Sequence, residues 1–321
     1  MIDQPLPPEL SRFNNISDLT YRGNGEWSAS CVQCGGHNPG RHDVSDRFRL
    51  FDKDGKGNAR AWCRSCGFFE WADQDGERPS ADAIERTNQE RVRLANQDRE
   101  RVAQKVNELR REAYWRGYHD AMNESHRQLW RQQGISDKLQ DYFQLGYVER
   151  RRFFNGAEPF YTPAMTIPIF EVGWEAVNIQ YRLMEPPGGV GKYRFTGGLP
   201  APLFITNPYS EPEGATLLVE GAKKAMVTFE RLDLCIVAMP SKMSPAGLFS
   251  QLEQCDPVYV ALDPDAYDEG QGSAAARAGK LLGDRARYVR LPVKPDDFFI
   301  QYNGTKTQFM GYVRQATRTI Q

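Results

Sequence analysis

The 321-residue chain has no uninterrupted apolar run near the roughly 18 residues that a membrane-crossing helix needs, so no such span is expected. Its first ten residues carry prolines and acids where a secretory signal has a basic stretch and an apolar centre. Net charge is nearly absent. With 41 Lys and Arg against 42 Asp and Glu, no global positive field announces a polyanionic partner, and any such binding must come from local basic patches. No Gly-x-x-x-x-Gly-Lys-[Ser/Thr] phosphate loop occurs, which argues against a fused ATP-driven motor. Cysteine is scarce, and four of the six stand in metal-ligand spacing, which fits a reducing cytoplasm better than a disulfide framework. Cys235 and Cys255 sit in or beside apolar text and read as ordinary buried thiols. What is present, 40% hydrophobic and 26% charged residues, suffices to bury two or three cores.

The four remaining cysteines form two C-x-x-C pairs, Cys31 with Cys34 and Cys63 with Cys66, separated by 28 residues. Each pair lets two thiolates reach one ion from a tight turn. Together they close a tetrahedral shell around a single structural Zn²⁺. His37 and His42 lie within the loop but are not needed as ligands. Alternation predicts a strand over 47–51, with Phe48 on one face and Arg47 and Arg49 on the other. A hairpin turn over 52–58 and a returning strand over 59–62 come next. Arg47, Arg49 and Trp62 belong to an interleaving of arginines and aromatics that suits single-stranded DNA, where bases stack on rings and phosphates meet guanidinium groups.

Four segments are expected: a zinc-binding ribbon over 1–76, a charged helical linker over 77–134, a basic subdomain over 135–213 and an α/β domain over 214–321. In the linker Gly and Pro nearly vanish and the apolar stripe is narrow, with Gly134 as a stop; its aromatic stretch 114–130 is a candidate to dock on the next segment. From residue 214 onward strand and helix patterns alternate, as in a doubly wound sheet that carries chemistry at the carboxyl ends of its strands. The fold class is thus multidomain α+β: a β-rich zinc ribbon, a helical linker and an α/β domain preceded by a basic α+β subdomain.

Three acidic groups punctuate the last segment. Glu220 ends the apolar run Leu217-Leu218-Val219 and is followed by Gly221. Asp263 and Asp265 flank Pro264 after Val260-Ala261-Leu262, with both carboxylates expected in one cleft. Asp296 comes after Lys294-Pro295. Carboxylates gathered this closely repel unless cations lie between them, and Mg²⁺ or Mn²⁺ suits such hard oxygen ligands.

Strand-Glu-Gly, strand-Asp-x-Asp and Lys294-Pro295-Asp296-Asp297 resemble the TOPRIM domain of DnaG-type primases, topoisomerases and some nucleases. Cys-x-x-Cys with Arg47-Phe48-Arg49-Leu50-Phe51 and Trp62-Cys63-Arg64-Ser65-Cys66-Gly67 resembles the zinc ribbon of phage and mobile-element primases. Between them, Ile167-Pro168-Ile169-Phe170, the Arg182 strand and Gly191-Lys192-Tyr193-Arg194-Phe195 resemble the basic subdomain of these enzymes. The resemblance implies synthesis of short RNA primers on a single-stranded DNA template from ribonucleoside triphosphates. Glu220, Asp263 and Asp265 would be catalytic, and Glu220, Asp263, Asp265 and Asp296 would hold the divalent cations. Arg182 and Lys192 would contact nucleic acid or nucleotide. Lys223 is a candidate to meet the triphosphate, with a plain surface lysine as the alternative. A replicative helicase would be a separate partner. Lys294 stands where the family often has an acid, so the third metal ligand stays open, with Asp297 and Asp268 as further candidates. A TOPRIM nuclease and a non-catalytic recombination mediator are the alternatives. The second is disfavoured because about 150 residues separate the cysteines from Glu220.

Overall fold

The structure, a computed structural model, describes residues 5–16, 19–23, 25–32, 48–52, 59–63, 68–71, 81–232, 234–242, 244–268 and 273–319. The chain divides into two compact units, Met1–Arg93 and Leu94–Gln321.

The first unit is built on an antiparallel meander of five short strands: β1 (Thr20–Gly23), β2 (Glu26–Ala29), β3 (Phe48–Phe51), β4 (Arg60–Cys63) and β5 (Phe69–Trp71). Alternation in β3 does what its residues dictate. Phe48 and Leu50 are fully buried, while Arg49 and Phe51 are half-exposed. Leu10 and Phe13, from a 3₁₀ turn over Pro8–Phe13, close this small core with Trp27. Cys31 lies two residues past β2, and Cys63 ends β4 opposite Phe48, whose other neighbour is Ala29. Both thiols are therefore buried near the same end of the sheet. Cys34, Cys66 and Arg47, with residues 53–58 of the expected hairpin turn, lie outside the described residues.

The charged, Gly- and Pro-poor stretch forms α1 (Ala81–Glu112). The expected run of helix to Gly134 is interrupted. Ala113 takes a left-handed conformation, φ 45°, and the chain restarts as α2 (Tyr114–Asp120) and α3 (Glu124–Arg131). The cause is packing: Trp115 and Trp130 are buried, so this aromatic stretch belongs to the cores of the second unit. Gly134, at φ +79°, does end the helical region, and an added Cβ there would lie 2.5 Å from the Ile300 side chain.

After α4 (Asp137–Tyr142) comes an antiparallel sheet of β6 (Gly146–Asn155), β7 (Glu158–Glu171), β8 (Glu175–Leu183) and β9 (Tyr193–Phe195). A second sheet contains β10 (Phe204–Ile205), β11 (Thr216–Glu220), β12 (Cys235–Met239), β13 (Val258–Val260) and β14 (Ala286–Tyr288), in the order β10-β12-β11-β13-β14. All but the edge strand β10 run parallel. Around this sheet stand α5 (Ala222–Arg231), α6 (Ala274–Leu282), α7 (Pro295–Ile300) and α8 (Lys306–Arg314). Leu217 and Val219 enter one core with α5, α7 and α8, whereas Leu218 enters another with α6. A parallel sheet covered on both faces explains why these strands are almost uniformly apolar.

Residue 213, expected to separate two segments, falls inside one packed unit. β10 precedes it yet hydrogen-bonds to β12. Met165, Ile167 and Ile169 of β7 share a core with Leu217 and Ile236. A two-residue edge strand carries too little pattern to be read from sequence.

Candidate active site

Parallel strands place the chemistry at one edge. Glu220 is the last residue of β11, and Gly221, at φ 84°, turns the chain directly into α5. Only glycine adopts that backbone at little cost. The turn sets Lys223 and Lys224 on the first turn of α5, beside the carboxylate. Next to β11, β13 stops at Val260, earlier than expected, but the chain continues alongside, with Ala261 N–H donating to Leu218 O at 2.9 Å. Asp263 then caps a 3₁₀ turn over Pro264–Tyr267. That turn separates the two aspartates expected to face one cleft. The Asp263 side chain is 8% exposed and that of Asp265 is 63% exposed. Asp296, on the first turn of α7, is buried; Asp297 beside it is half-buried and accepts from Gln301. Asp268 is exposed.

Ammonium groups pair with three of these acids. Lys223 Nζ is 2.5 Å from Asp296 Oδ2. Lys224 donates to Asp263 Oδ2 at 3.0 Å. Lys242 donates to Asp265 Oδ2 at 2.5 Å, and Lys294 Nζ stands 3.8 Å from Asp263 Oδ2. Lysines thus pair with Asp263, Asp265 and Asp296, the acids for which divalent cations are the expected counter-charges. Among the described residues, no three acidic, histidine or cysteine side chains stand grouped as a ready metal cage. The pairing is electrostatic, since buried carboxylates need positive charge beside them and lysines supply it.

The pairing is incomplete. Glu220 Oε2 and Asp296 Oδ1 are buried without a hydrogen-bond partner, whereas Asp263 Oδ1, also buried, has the Lys224 ammonium 2.9 Å away. Orphaned anionic oxygens are costly, and hard carboxylate oxygens of this kind are the donors a divalent cation takes. The residues present therefore fit Mg²⁺ or Mn²⁺. Burial, more than any other influence, raises the affinity of Glu220 for its proton above the ordinary 4.5; Asp263 and Asp265 add to this, while Lys224 and Lys242 oppose it. Lys242 holds the carboxyl of Asp265 below its usual range.

A cleft of about 310 Å³ opens beside these oxygens, lined by Glu220, Lys223, Asp296 and, from the antiparallel sheet, Gln180, Arg182 and Lys192. Arg182 and Lys192 have no acidic partner among the described residues. The Arg182 guanidinium, with burial and Lys223, depresses the ammonium of Lys192, which marks an uncompensated positive pole. The structure thus brings together Glu220, Asp296, Arg182, Lys192 and Lys223 as lining, with Asp263 one ion pair behind Lys224 and Asp265 set outward. Sequence reasoning missed Lys242. Its place just past β12, at the carboxyl end of a parallel strand, was the available signal.

In the first unit, Arg49 and Trp62 face each other across β3 and β4. Arg49 is ion-paired with Glu26 at 2.8 Å, and Trp62 is 38% exposed. Cys255 is buried and Cys235 half-buried, and burial pushes both thiols up. Among the described residues, no helix is long and apolar enough to cross a membrane.

No protein-family model matches the chain, and no curated protein matches its sequence. Solved structures do match. The DnaG primase catalytic domain bound to single-stranded DNA aligns at TM-score 0.54 and 16% identity, covering 67% of this chain and 80% of that one. The DnaG catalytic core aligns at 0.52 and 18% identity, covering 66% and 80%. The Escherichia coli primase catalytic core aligns at 0.51 and 17% identity, covering 64% and 78%. The mixed α+β architecture around this cleft is therefore the fold of the DnaG primase catalytic core.

Proposed function

We propose that this chain is a DNA primase, a nucleotidyltransferase that makes short RNA primers on single-stranded DNA. The observation that carries the reading is the pair of orphaned carboxylate oxygens on Glu220 and Asp296, lining a cleft rimmed by the unpaired cations Arg182 and Lys192, with the buried carboxylate of Asp263 behind them. The parallel sheet is read as a TOPRIM domain with Glu220, Asp263 and Asp265 as its catalytic acids. The sheet of β6–β9 is read as the basic subdomain, and Cys31, Cys34, Cys63 and Cys66 as the ligands of one structural zinc. The template would meet Arg47, Arg49 and Trp62 on that ribbon. A replicative helicase is assigned as a separate partner.

In the reaction, the 3′ oxygen of one ribonucleotide forms a bond to the α-phosphorus of the next, and the bond to the departing pyrophosphate breaks. Glu220, whose burial raises its proton affinity, accepts the proton of the attacking hydroxyl. Arg182 and Lys192 hold the phosphates at the mouth of the cleft and offset their charge. Lys223 sits between Asp296 and the cleft, where it can turn from carboxylate to phosphate. Glu220, Asp263, Asp265 and Asp296 would hold divalent cations, which would supply neutralisation of phosphate charge and a lowered pKa for the hydroxyl.

The test is incubation with Mg²⁺, labelled ribonucleotides and single-stranded templates that sample all triplets. Short RNA products that require template, and that Glu220→Gln abolishes, are expected. Absence of products on every template, or nicking of plasmid DNA in their place, overturns the assignment in favour of a binding protein or a nuclease.

A further inference from the structure

The acids at and behind the cleft equal their lysines in number, four and four: Lys223 pairs with Asp296, Lys242 with Asp265, and Lys224 and Lys294 both with Asp263, which leaves Glu220 without an ion pair. Arg182 and Lys192 add two further positive charges with no acid to offset them. Without any metal, the site is therefore already neutral to positive. A bare dication that enters it meets ammonium groups already paired with Asp263, Asp265 and Asp296.

Resting on the primase reading, we infer that Lys242 is a resident counter-ion, one that a divalent cation must displace from Asp265 before it can settle at this site. A cation that arrives alone is disfavoured by the ammonium. One that arrives with a polyphosphate brings the anion that the released lysine then contacts. Lys242 is the member built to open. It comes after β12 in the chain, next to β11 in the sheet, and its pair with Asp265 is reached by water at 35% and 63% side-chain exposure. The Lys223–Asp296 pair is sealed by comparison, at 22% and 2%. Lys242 also acts on Glu220, whose proton affinity it lowers, so its departure changes the field at the proposed base as well as at Asp265. An ordinary surface ion pair contributes little to stability and nothing to cation binding. A counter-ion, by contrast, competes with the cation, and the two roles differ in sign in a binding measurement.

The experiment is titration of the full chain with Mn²⁺ alone, monitored by electron paramagnetic resonance. It compares the native chain with Lys242→Met, Lys242→Gln, Asp296→Asn and, as a control distant in sequence from these acids, Lys138→Met. Removal of the competing ammonium is expected to tighten Mn²⁺ binding about tenfold in either Lys242 variant. Lys138→Met is expected to leave it unchanged, and Asp296→Asn to weaken it. In parallel, inorganic tripolyphosphate without metal is expected to bind the Lys242 variants more weakly than the native chain. Circular dichroism checks that each variant is folded, and the glutamine variant serves if methionine disturbs the loop. Native or weaker Mn²⁺ affinity in a folded Lys242 variant, with Asp296→Asn still impaired, overturns the counter-ion and leaves the primase reading intact. No Mn²⁺ binding by any form, tripolyphosphate present or absent, overturns both.

Discussion

Lys223 Nζ lies 2.5 Å from Asp296 Oδ2, and the aspartate side chain is almost wholly buried. Removing one partner of such a pair leaves the other charge stranded, at a cost of roughly 3 kcal/mol. Lys223→Met is therefore expected to lower the free energy of urea unfolding by about that amount. Adding Asp296→Asn to the same chain is expected to restore most of it. A loss for Lys223→Met below ~0.5 kcal/mol, the scale of an exposed pair, contradicts the burial described here.

Glu220 carries the pH dependence. Its folded proton affinity exceeds the ordinary 4.5, so between 4.5 and the raised value the folded chain holds a proton that the unfolded chain releases. Stability tied to Glu220 is then fully present below 4.5 and falls as the pH rises through that window. In chelator, Glu220→Gln is expected to be more stable than the native chain at neutral pH and no different in acid; thermal melts across pH check it. Equal melts at every pH contradict the burial penalty. In the primer assay, the same variant is expected to lose at least ~100-fold in rate.

Arg182 and Lys192 are expected to act on binding rather than on folding. Alanine at either should weaken binding of a single-stranded oligonucleotide or of a ribonucleoside triphosphate. For the oligonucleotide, each lost phosphate contact is expected to reduce the slope of log K against log salt by about 0.7. Fluorescence anisotropy at several salt concentrations measures this. A large fall in melting temperature with an unchanged salt slope contradicts the role.

Much of this architecture is legible in the residues themselves. Glu220-Gly221 after an apolar run gives the strand-to-helix turn, and Phe48 and Arg49 give the two faces of β3. What local pattern does not carry is direction beyond a strand end. Strand periodicity suggests that Asp263 and Asp265 share a face. Pro264 instead starts a 3₁₀ turn that buries the first and exposes the second. Lys242 is paired with a residue 23 positions away, through a loop whose course no periodicity encodes. The helical stretch reads as a solvated linker because its charges dominate the text, yet two tryptophans decide its packing from α2 onward.

Cys31 and Cys63, buried near one end of the first sheet, carry the zinc expectation together with Cys34 and Cys66. One equivalent of zinc per chain is expected by mass spectrometry, lost on Cys31→Ser or Cys63→Ser. Because a closed thiolate site folds with its metal, chelation is expected to unfold the first unit and to spare the helical circular dichroism of Leu94–Gln321. A metal-free chain that melts like the native one contradicts this.

The primase reading requires that Glu220 and Asp296 turn their unpartnered oxygens, and Asp263 its lysine-paired carboxylate, toward a divalent cation. Anomalous diffraction from crystals grown with Mn²⁺ and an unreactive ribonucleoside triphosphate analogue would locate that cation. A manganese peak is expected about 2.1 Å from oxygens of these carboxylates, with Lys242 withdrawn from Asp265. A peak elsewhere, or none while all four lysines keep their carboxylate partners, contradicts it.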